Sequence, residues 1–354
     1  MFTPVNIGGM RLGVGSGAEV AQLNDSTARP VAILVNGMGW SGSSMLVDLL
    51  MAHPEVTGVK GEFDDFRRFG LVGDHLTGRI SEVFPSRLRT HASRRLASQP
   101  FAARAAANAM QRVLAVHLDG IAFGPLSTLL SRVNYPRATR LRFQLLQALE
   151  DAFDGAETED EKLALARDWM SDVLLAYARN KKFVLLDQPL KADTHDKVWP
   201  KVFSPCVHFV VFRDPRDQLV DLYRALVAGP AEVHYMAQGL MEQEYGRGRP
   251  GIMRFLAHFL RSRFEKQDWR TATSSVPTFG VAFERLAGRA EEVVPRVHAV
   301  AGLTRNDDWR HSARFVPRIS IGNVGIHRQL LNSEELRLIA DLQDRYADWV
   351  SGSL

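Results

Sequence analysis

Four short segments of the chain are apolar almost without interruption: residues 31–35, 183–186, 207–212 and 278–283. Neighbouring residues of a strand point to opposite faces, so an unbroken apolar run belongs to a strand covered on both sides. Stretches with helical spacing separate these runs. One, 44–53, follows directly on a Gly/Ser turn, and another, 217–227, opens after the third run. Near the end, Asn332-Ser-Glu-Glu335 has the form of a capping box, and Leu336, Ile339, Leu342, Tyr346 and Trp349 then fall on one helical face. Strands alternating with helices predict an α/β fold of three layers, a parallel sheet with helices on both faces. Residues 76–180 show no strand pattern and are rich in Ala, Leu and Arg, which predicts a mainly helical insertion with 164–178 as its clearest helix. Residues 1–28 are Gly-rich and read as an irregular segment. With no repeat or low-complexity tract, the expectation is a single domain over 1–354.

Composition narrows the picture only a little. Of 354 residues, 45% are apolar and 24% charged, the balance of a globular enzyme. Lys and Arg number 44 against 40 Asp and Glu, a net charge of +4 that admits an anionic ligand but gives no reason to expect nucleic acid. Cys206 is the only cysteine, which excludes an intrachain disulfide and a cysteine-built metal site. No basic start leads into an apolar run, and the longest apolar stretches fall far short of the roughly 20 residues that span a bilayer. The expected setting is soluble, reducing and cytoplasmic.

Two motifs carry candidate chemistry. The first apolar run leads into Asn36-Gly-Met-Gly-Trp-Ser-Gly-Ser-Ser44 and then a helix. Glycines let a backbone curl until several N–H groups converge, and the helix N-terminus adds partial positive charge, so this order suits a phosphate. Ser43 and Ser44 add hydroxyl donors. The spacing from Gly37 to Gly42 matches the outer glycines of G-x-x-x-x-G-K-[ST], but Ser43 stands where that motif has lysine. The same composition also suits a loop that merely caps a core helix. The second motif, Phe212-Arg-Asp-Pro-Arg-Asp217, closes the third run. Ligands of open α/β sheets bind beyond the carboxyl ends of the strands, where Arg213 then lies. A turn whose Asp and Arg side chains only cap the next helix or pair with one another would read the same way.

Together and in this order, the motifs resemble the nucleotide-dependent sulfotransferases, a P-loop-like family. Residues 31–56, ending in His53-Pro-Glu-Val56, look like the family's first signature, and Arg213-Asp-Pro-Arg-Asp217 with Leu222-Tyr223 is similar to its second. Val281-Ala-Phe-Glu-Arg-Leu286 resembles a later strand ending in an aromatic–acidic pair. Gly322-Asn-Val-Gly325, Arg328 and Asn332-Ser-Glu-Glu-Leu336 look like the C-terminal glycine loop and its helix. The resemblance runs from about residue 30 to the end and leaves 76–180 unmatched.

It implies transfer of a sulfonate group from 3′-phosphoadenosine-5′-phosphosulfate (PAPS) to a hydroxyl or amine of a small molecule or glycan, with no metal. Gly39, Trp40, Ser41, Gly42, Ser43 and Ser44 would wrap the 5′-phosphosulfate. Arg213 would meet the 3′-phosphate, helped by Gly322, Gly325 and Arg328. Glu62 falls where heparan-type sulfotransferases carry a carboxylate base, and Asp187 at the end of the second run is the rival base. Glu62 also reads as a solvated acid beside Asp64 and Asp65, and Asp187 as a support for the Gln188-Pro189 turn.

Two positions depart from the family. Trp40 stands where the loop carries Lys or Arg, and Asp221 stands where a serine follows the arginine by eight residues. A carboxylate about 4 Å from one phosphate charge costs about 4 kcal/mol at an effective dielectric near 20. Asp221 must therefore point away, be offset by a cation, or face a ligand without a 3′-phosphate. Lys60, Arg67, Arg68, Lys191 and Arg216 are the cations available by sequence.

Other readings stay open. In a nucleoside-triphosphate-dependent kinase, Asp187 would hold magnesium together with Ser43 or Ser44. A non-catalytic nucleotide-binding homologue would keep the fold without the loop cation. His53 is expected to finish a helix, His208 to be a core histidine, and His327 to stand where it can stack on a ligand. His195 has no assignment, and 87–95 reads as a basic helical face. Oligomeric state is not legible.

Overall fold

The structure, a computed structural model, describes residues 3–7, 10–14, 29–37, 41–63, 65–66, 72–77, 145–146, 148–149, 151–190, 198–228, 242, 244–266 and 276–354. Its strands are β1 (Thr3–Ile7), β2 (Met10–Val14), β3 (Val31–Gly37), β4 (Val56–Glu62), β5 (Phe183–Asp187), β6 (Cys206–Phe212) and β7 (Thr278–Ala282). The helices that matter below are α1 (Ser43–Met51), α2 (Glu159–Ala178), α3 (Pro215–Ala228), α4 (Gly248–Lys266), α5 (Phe283–Gly288), α6 (Ala290–Ala301), α7 (His327–Leu330), α8 (Ser333–Arg337) and α9 (Ala340–Gly352).

Five strands form a parallel sheet in the order β4-β5-β3-β6-β7. β6 and β7 run in register from His208 beside Thr278 to Phe212 beside Ala282. In β3 and β6 six consecutive residues are buried, which requires cover on both faces. The α/β class therefore follows as the apolar runs predicted. The chain enters the sheet at its middle strand, builds β4 and β5 on one side, then β6 and β7 on the other. Connections from β3 and β6 consequently diverge, which opens a crevice at the carboxyl ends of these two neighbours.

The chain divides into two compact units, Met1–Ala32 with Thr57–Cys206, and Ile33–Val56 with Val207–Leu354. In the first unit α2 is the long helix. It begins earlier than apolar spacing suggested, because Thr158 caps it: the Thr158 hydroxyl accepts from the Glu161 amide, and the Glu161 carboxylate accepts from the Thr158 amide. Its buried face carries Trp169, Met170, Val173 and Tyr177. The rest of the expected helical insertion, 78–144 together with 147 and 150, lies outside the described residues.

Two elements differ from the sequence reading. Residues 1–28, read as irregular, contain the antiparallel pair β1–β2, with Thr3 opposite Val14 and Ile7 opposite Met10. Its apolar positions Val5, Ile7, Met10, Leu12 and Val14 recur every second residue within each strand, a period easily lost among glycines. β4 was missed because Val-Thr-Gly-Val-Lys-Gly-Glu carries only two core residues, Val56 and Val59. Its place at the sheet edge asks for no more.

In the second unit, the core joins Phe212 on β6, Leu219 and Leu222 on α3, Met253, Leu256, Leu260 and Phe264 on α4, and Ile339, Leu342 and Trp349 near the C-terminus. Trp349 stacks on Phe264 at 4.8 Å and meets Phe212 edge-on at 5.5 Å. The capping box forms, with Asn332 and Glu335 exchanging hydrogen bonds, but the expected single helix is broken: α8 ends at Arg337 and α9 starts at Ala340. Among the described residues no helix is long and apolar enough to cross a membrane.

Candidate functional site

Ser41 and Ser43 lie close against Gly37, the last residue of β3. A Cβ placed on Gly37 would fall 2.5 Å from Ser41 Oγ and 2.8 Å from Ser43 Oγ, so the loop closes only over a bare backbone. Gly42 is the residue before α1 and adopts the left-handed conformation, φ 79°. A Cβ there would sit 2.3 Å from the Phe283 ring, so glycine is required twice over. Ser41 is buried and Ser44 exposed. No side chain caps α1 at Gly42 and no acid lies in its first turn, which leaves that end electropositive. Gly39 and Trp40 lie outside the described residues.

β6 delivers Arg213 to the same crevice. Its guanidinium is 3% exposed and held on three sides. One terminal nitrogen donates to Asp221 Oδ2 at 2.5 Å, the other to the Asn323 carbonyl at 2.6 Å, and the Phe283 ring lies 4.9 Å beneath. Phe283 thus packs against both the loop glycine and the arginine. Asp221, one of the two departures from the family pattern, does not point away: it is the arginine's partner, with Arg224 3.7 Å from its other oxygen.

These groups border a cavity of about 440 Å³. Gly42, Ser44, Arg213 and Asp221 form one part of its wall, and Met45, Phe283, Phe315, Val316 and Ile319 supply apolar surface. A volume of this size suits a mononucleotide-sized ligand. Asp48 and Arg314 complete the charged lining. Burial raises the Asp48 carboxyl above its ordinary range, and the Arg314 charge draws it partly back.

The rest of the arginine motif faces inward. Asp217 is 1% exposed and takes the Gly325 amide at 2.6 Å, the His327 amide at 3.0 Å and the His327 ring Nδ1–H at 2.6 Å. His327 is therefore a buried partner of Asp217, and not a stacking residue as the sequence suggested. Asp214 receives Arg216 through both oxygens, which removes Arg216 as a free cation for the cavity. Glu284 takes the Asp214 amide at 2.8 Å and the Tyr346 hydroxyl at 2.7 Å; burial nonetheless holds its carboxyl above the usual range. Asp214, Asp217 and His327 are grouped closely enough to ligate a metal, but both carboxylates already accept from the donors just named and the His327 Nδ1–H is directed at Asp217.

The C-terminal glycine loop is pinned by this hub. Gly325, at φ 78°, is tied to Asp217, while Asn323 is tied to Arg213. Nothing crowds the Cβ position of Gly322, and Arg328 is exposed beside Gly325 without lining the cavity. Sequence reasoning missed Asn323, whose contribution is a main-chain carbonyl and leaves no trace in residue type. It also missed the wall from Ala313 to Ser320, where the aromatic Phe315 and basic Arg314 were a faint signal.

The two candidate bases belong to the first unit. Glu62 ends β4, exposed, and Asp187 ends the neighbouring β5, with the Asp187 carbonyl accepting from the Phe63 amide at 2.7 Å. Asp65 is fully buried and so is not the solvated neighbour expected of it. The side chain of Lys60 and the residues Asp64, Arg67, Arg68, Lys191 and His195 lie outside the described residues.

His53 and His208 are structural. The His53 Nε2–H donates to the Thr304 carbonyl at 2.9 Å and Nδ1 accepts from the Glu55 amide at 3.2 Å, which fixes the orientation of the ring. His208 is buried in β6 beside Thr278, and burial pushes its imidazole down to about 3.

No protein-family model matches the chain, and no curated protein matches it. Among solved structures it is similar to the sulfotransferase domain of the olefin synthase from Synechococcus PCC 7002, at 12% identity and TM-score 0.43 over 90% of this chain and 96% of that one. Sulfotransferase STF1 of Mycobacterium tuberculosis H37Rv aligns at 13% identity and TM-score 0.38, covering 87% and 80% of the two chains. Sulfotransferase STF9 of Mycobacterium avium aligns at 16% and 0.35, covering 93% and 79%. Likeness of this degree carries neither activity nor site residues across. The α/β assignment rests on the strand order and the site on the geometry of the crevice.

Proposed function

We propose that the chain binds a nucleotide in the crevice beyond β3 and β6 and acts as a sulfotransferase-like enzyme, moving a sulfonate group to a hydroxyl or amine of a small molecule or glycan. The observation that carries this reading is the shared cavity: the Gly42–Ser44 turn at the start of α1 and the Arg213 guanidinium border the same space. Two stretches 170 residues apart that the sequence singled out for an anion line one hollow.

PAPS, the donor implied by the sequence resemblance, fits one end of this hollow and not the other. The loop and uncapped α1 suit the 5′ anion, with Ser44 as a hydroxyl donor. Arg213 offers a 3′-phosphate no surplus charge, because Asp221 already neutralises it. What the chain's own residues do is hold an anion at the α1 end, stabilise charge developing there, and pack an apolar ring against Phe315 and Val316.

The test is calorimetric titration of the full chain with adenosine 5′-phosphosulfate, PAPS, AMP and adenosine 3′,5′-bisphosphate, followed by transfer of radiolabelled sulfonate to a panel of hydroxyl and amine acceptors. Binding abolished by Arg213→Ala, with transfer in the wild type, supports the reading. No binding by any of these nucleotides overturns it. Binding of ADP with magnesium in preference to all of them would move the chain to the kinase reading.

A further inference from the structure

We infer that the cavity selects a nucleotide with one anionic end and a free sugar hydroxyl, such as adenosine 5′-phosphosulfate, and that Asp221 is the residue that rejects a second phosphate. This rests on the nucleotide reading above and narrows its donor class.

The charge of the wall is the first ground. Among the described residues its charged side chains are Asp48, Arg213, Asp221 and Arg314, two acids against two bases. Among the described residues that line the wall, the electropositive feature left over is the uncapped start of α1 at Gly42. A bisphosphate brings two anionic groups to a wall with room for one.

Hydrogen bonding is the second ground. Arg213 directs one terminal nitrogen at Asp221 and the other at the Asn323 carbonyl, and its flat face lies on Phe283. Taking up a phosphate would mean breaking a buried, charge-assisted pair and leaving the Asp221 carboxylate against the incoming anion. Asp221 has acceptor capacity to spare. Its Oδ2 holds Arg213, while Oδ1 has Arg224 only at 3.7 Å, beyond hydrogen-bond distance. The side chain is 22% exposed and lines the cavity, so Oδ1 is available to a hydroxyl, which donates where a phosphate cannot. The pair is then a device for specificity: the arginine holds the carboxylate in place and the carboxylate reads the sugar.

The experiment compares AMP with adenosine 3′,5′-bisphosphate on the wild-type full chain, since the two differ only by the 3′-phosphate. AMP is expected to bind at least tenfold tighter. Asp221→Asn, which keeps the shape and removes the charge, should shift the ratio toward the bisphosphate by about tenfold, mainly by tightening the bisphosphate. 3′-Deoxy-AMP should bind the wild type several-fold more weakly than AMP. Equal or tighter binding of the bisphosphate by the wild type overturns the inference and leaves the nucleotide reading standing. Equal binding of 3′-deoxy-AMP and AMP overturns the hydroxyl-reading role of Asp221. If none of these nucleotides or their phosphosulfates binds, both fall together. The wild-type ratio decides the matter even where the variant fails to fold.

Discussion

Arg213 and Asp217 stand four residues apart in one motif, yet they serve opposite ends. Around Asp217 every carboxylate oxygen has a donor: Gly325 and His327 for Asp217, Arg216 for Asp214, Tyr346 and a main-chain amide for Glu284. That cluster is closed, and its product is position, since it anchors the glycine loop to α3. Around Arg213 the pairing is also tight, but its partner Asp221 still faces a cavity with an acceptor to offer. The lesson is that charge near a strand end does not announce a ligand site. What distinguishes the two clusters is whether a polar atom remains in contact with open volume.

The largest test of this contrast is Asp217→Ala. It strands the Gly325 amide, the His327 amide and the His327 ring N–H in a buried setting, and is expected to cost about 3–5 kcal/mol in urea-unfolding stability. A loss below about 1 kcal/mol would show that the hub does not hold the loop.

Next comes Gly42→Ala, which forces a Cβ into the Phe283 ring at φ 79°. About 1–3 kcal/mol of strain is expected, together with a drop in AMP affinity, since Phe283 also supports Arg213. Unchanged affinity at reduced stability would separate the loop from the site.

A third case lies in the first unit and shows burial without compensation. Asp172 is held up to about 6, first by burial, then by repulsion from Asp168, with Arg29 opposing, and its Oδ2 has no hydrogen-bond partner among the described residues. A carboxyl raised above its unfolded value destabilises the folded state once ionised, so wild-type stability falls as pH rises from about 4 to about 6. Asp172→Asn should gain about 1 kcal/mol at pH 7, allowing for partial solvation, and nothing near pH 4. Thermal melts at the two pH values check it.

The smallest effect concerns His298, packed edge-on against His53 at 4.9 Å. Burial first, and the His53 charge second, hold its imidazole down to about 4, while Asp307 pulls the other way. A histidine depressed in the fold loses stability as pH falls from about 6.5 toward 4, the reverse of Asp172. His298→Phe should flatten that slope by no more than about 1 kcal/mol after screening.

Some of this protein was legible in residue order alone. The four nearly continuous apolar runs at 31–35, 183–186, 207–212 and 278–283 became β3, β5, β6 and β7, because a strand covered on both faces has few positions left for polar side chains. The glycines of the first loop were equally readable, since Gly42 answers to local sterics. β4 was not, because an edge strand buries little and reads as a loop. The continuous apolar face from Leu336 to Trp349 hid the break at Ile339, since periodicity survives a short interruption.

Residue types alone suggested that Arg213 meets an anion, and that Asp221 either points away, is offset by a cation, or faces a ligand without a second phosphate. Only the tertiary structure decided that Asp221 turns toward Arg213, that Asn323 completes the grip through its carbonyl, and that Asp217 faces the interior. Sequence fixes which charges exist and roughly which strand end bears them. Whether a charge is left over for a ligand depends on partners 8 and 110 positions away, brought within 3 Å by folding, and no local pattern records that sum.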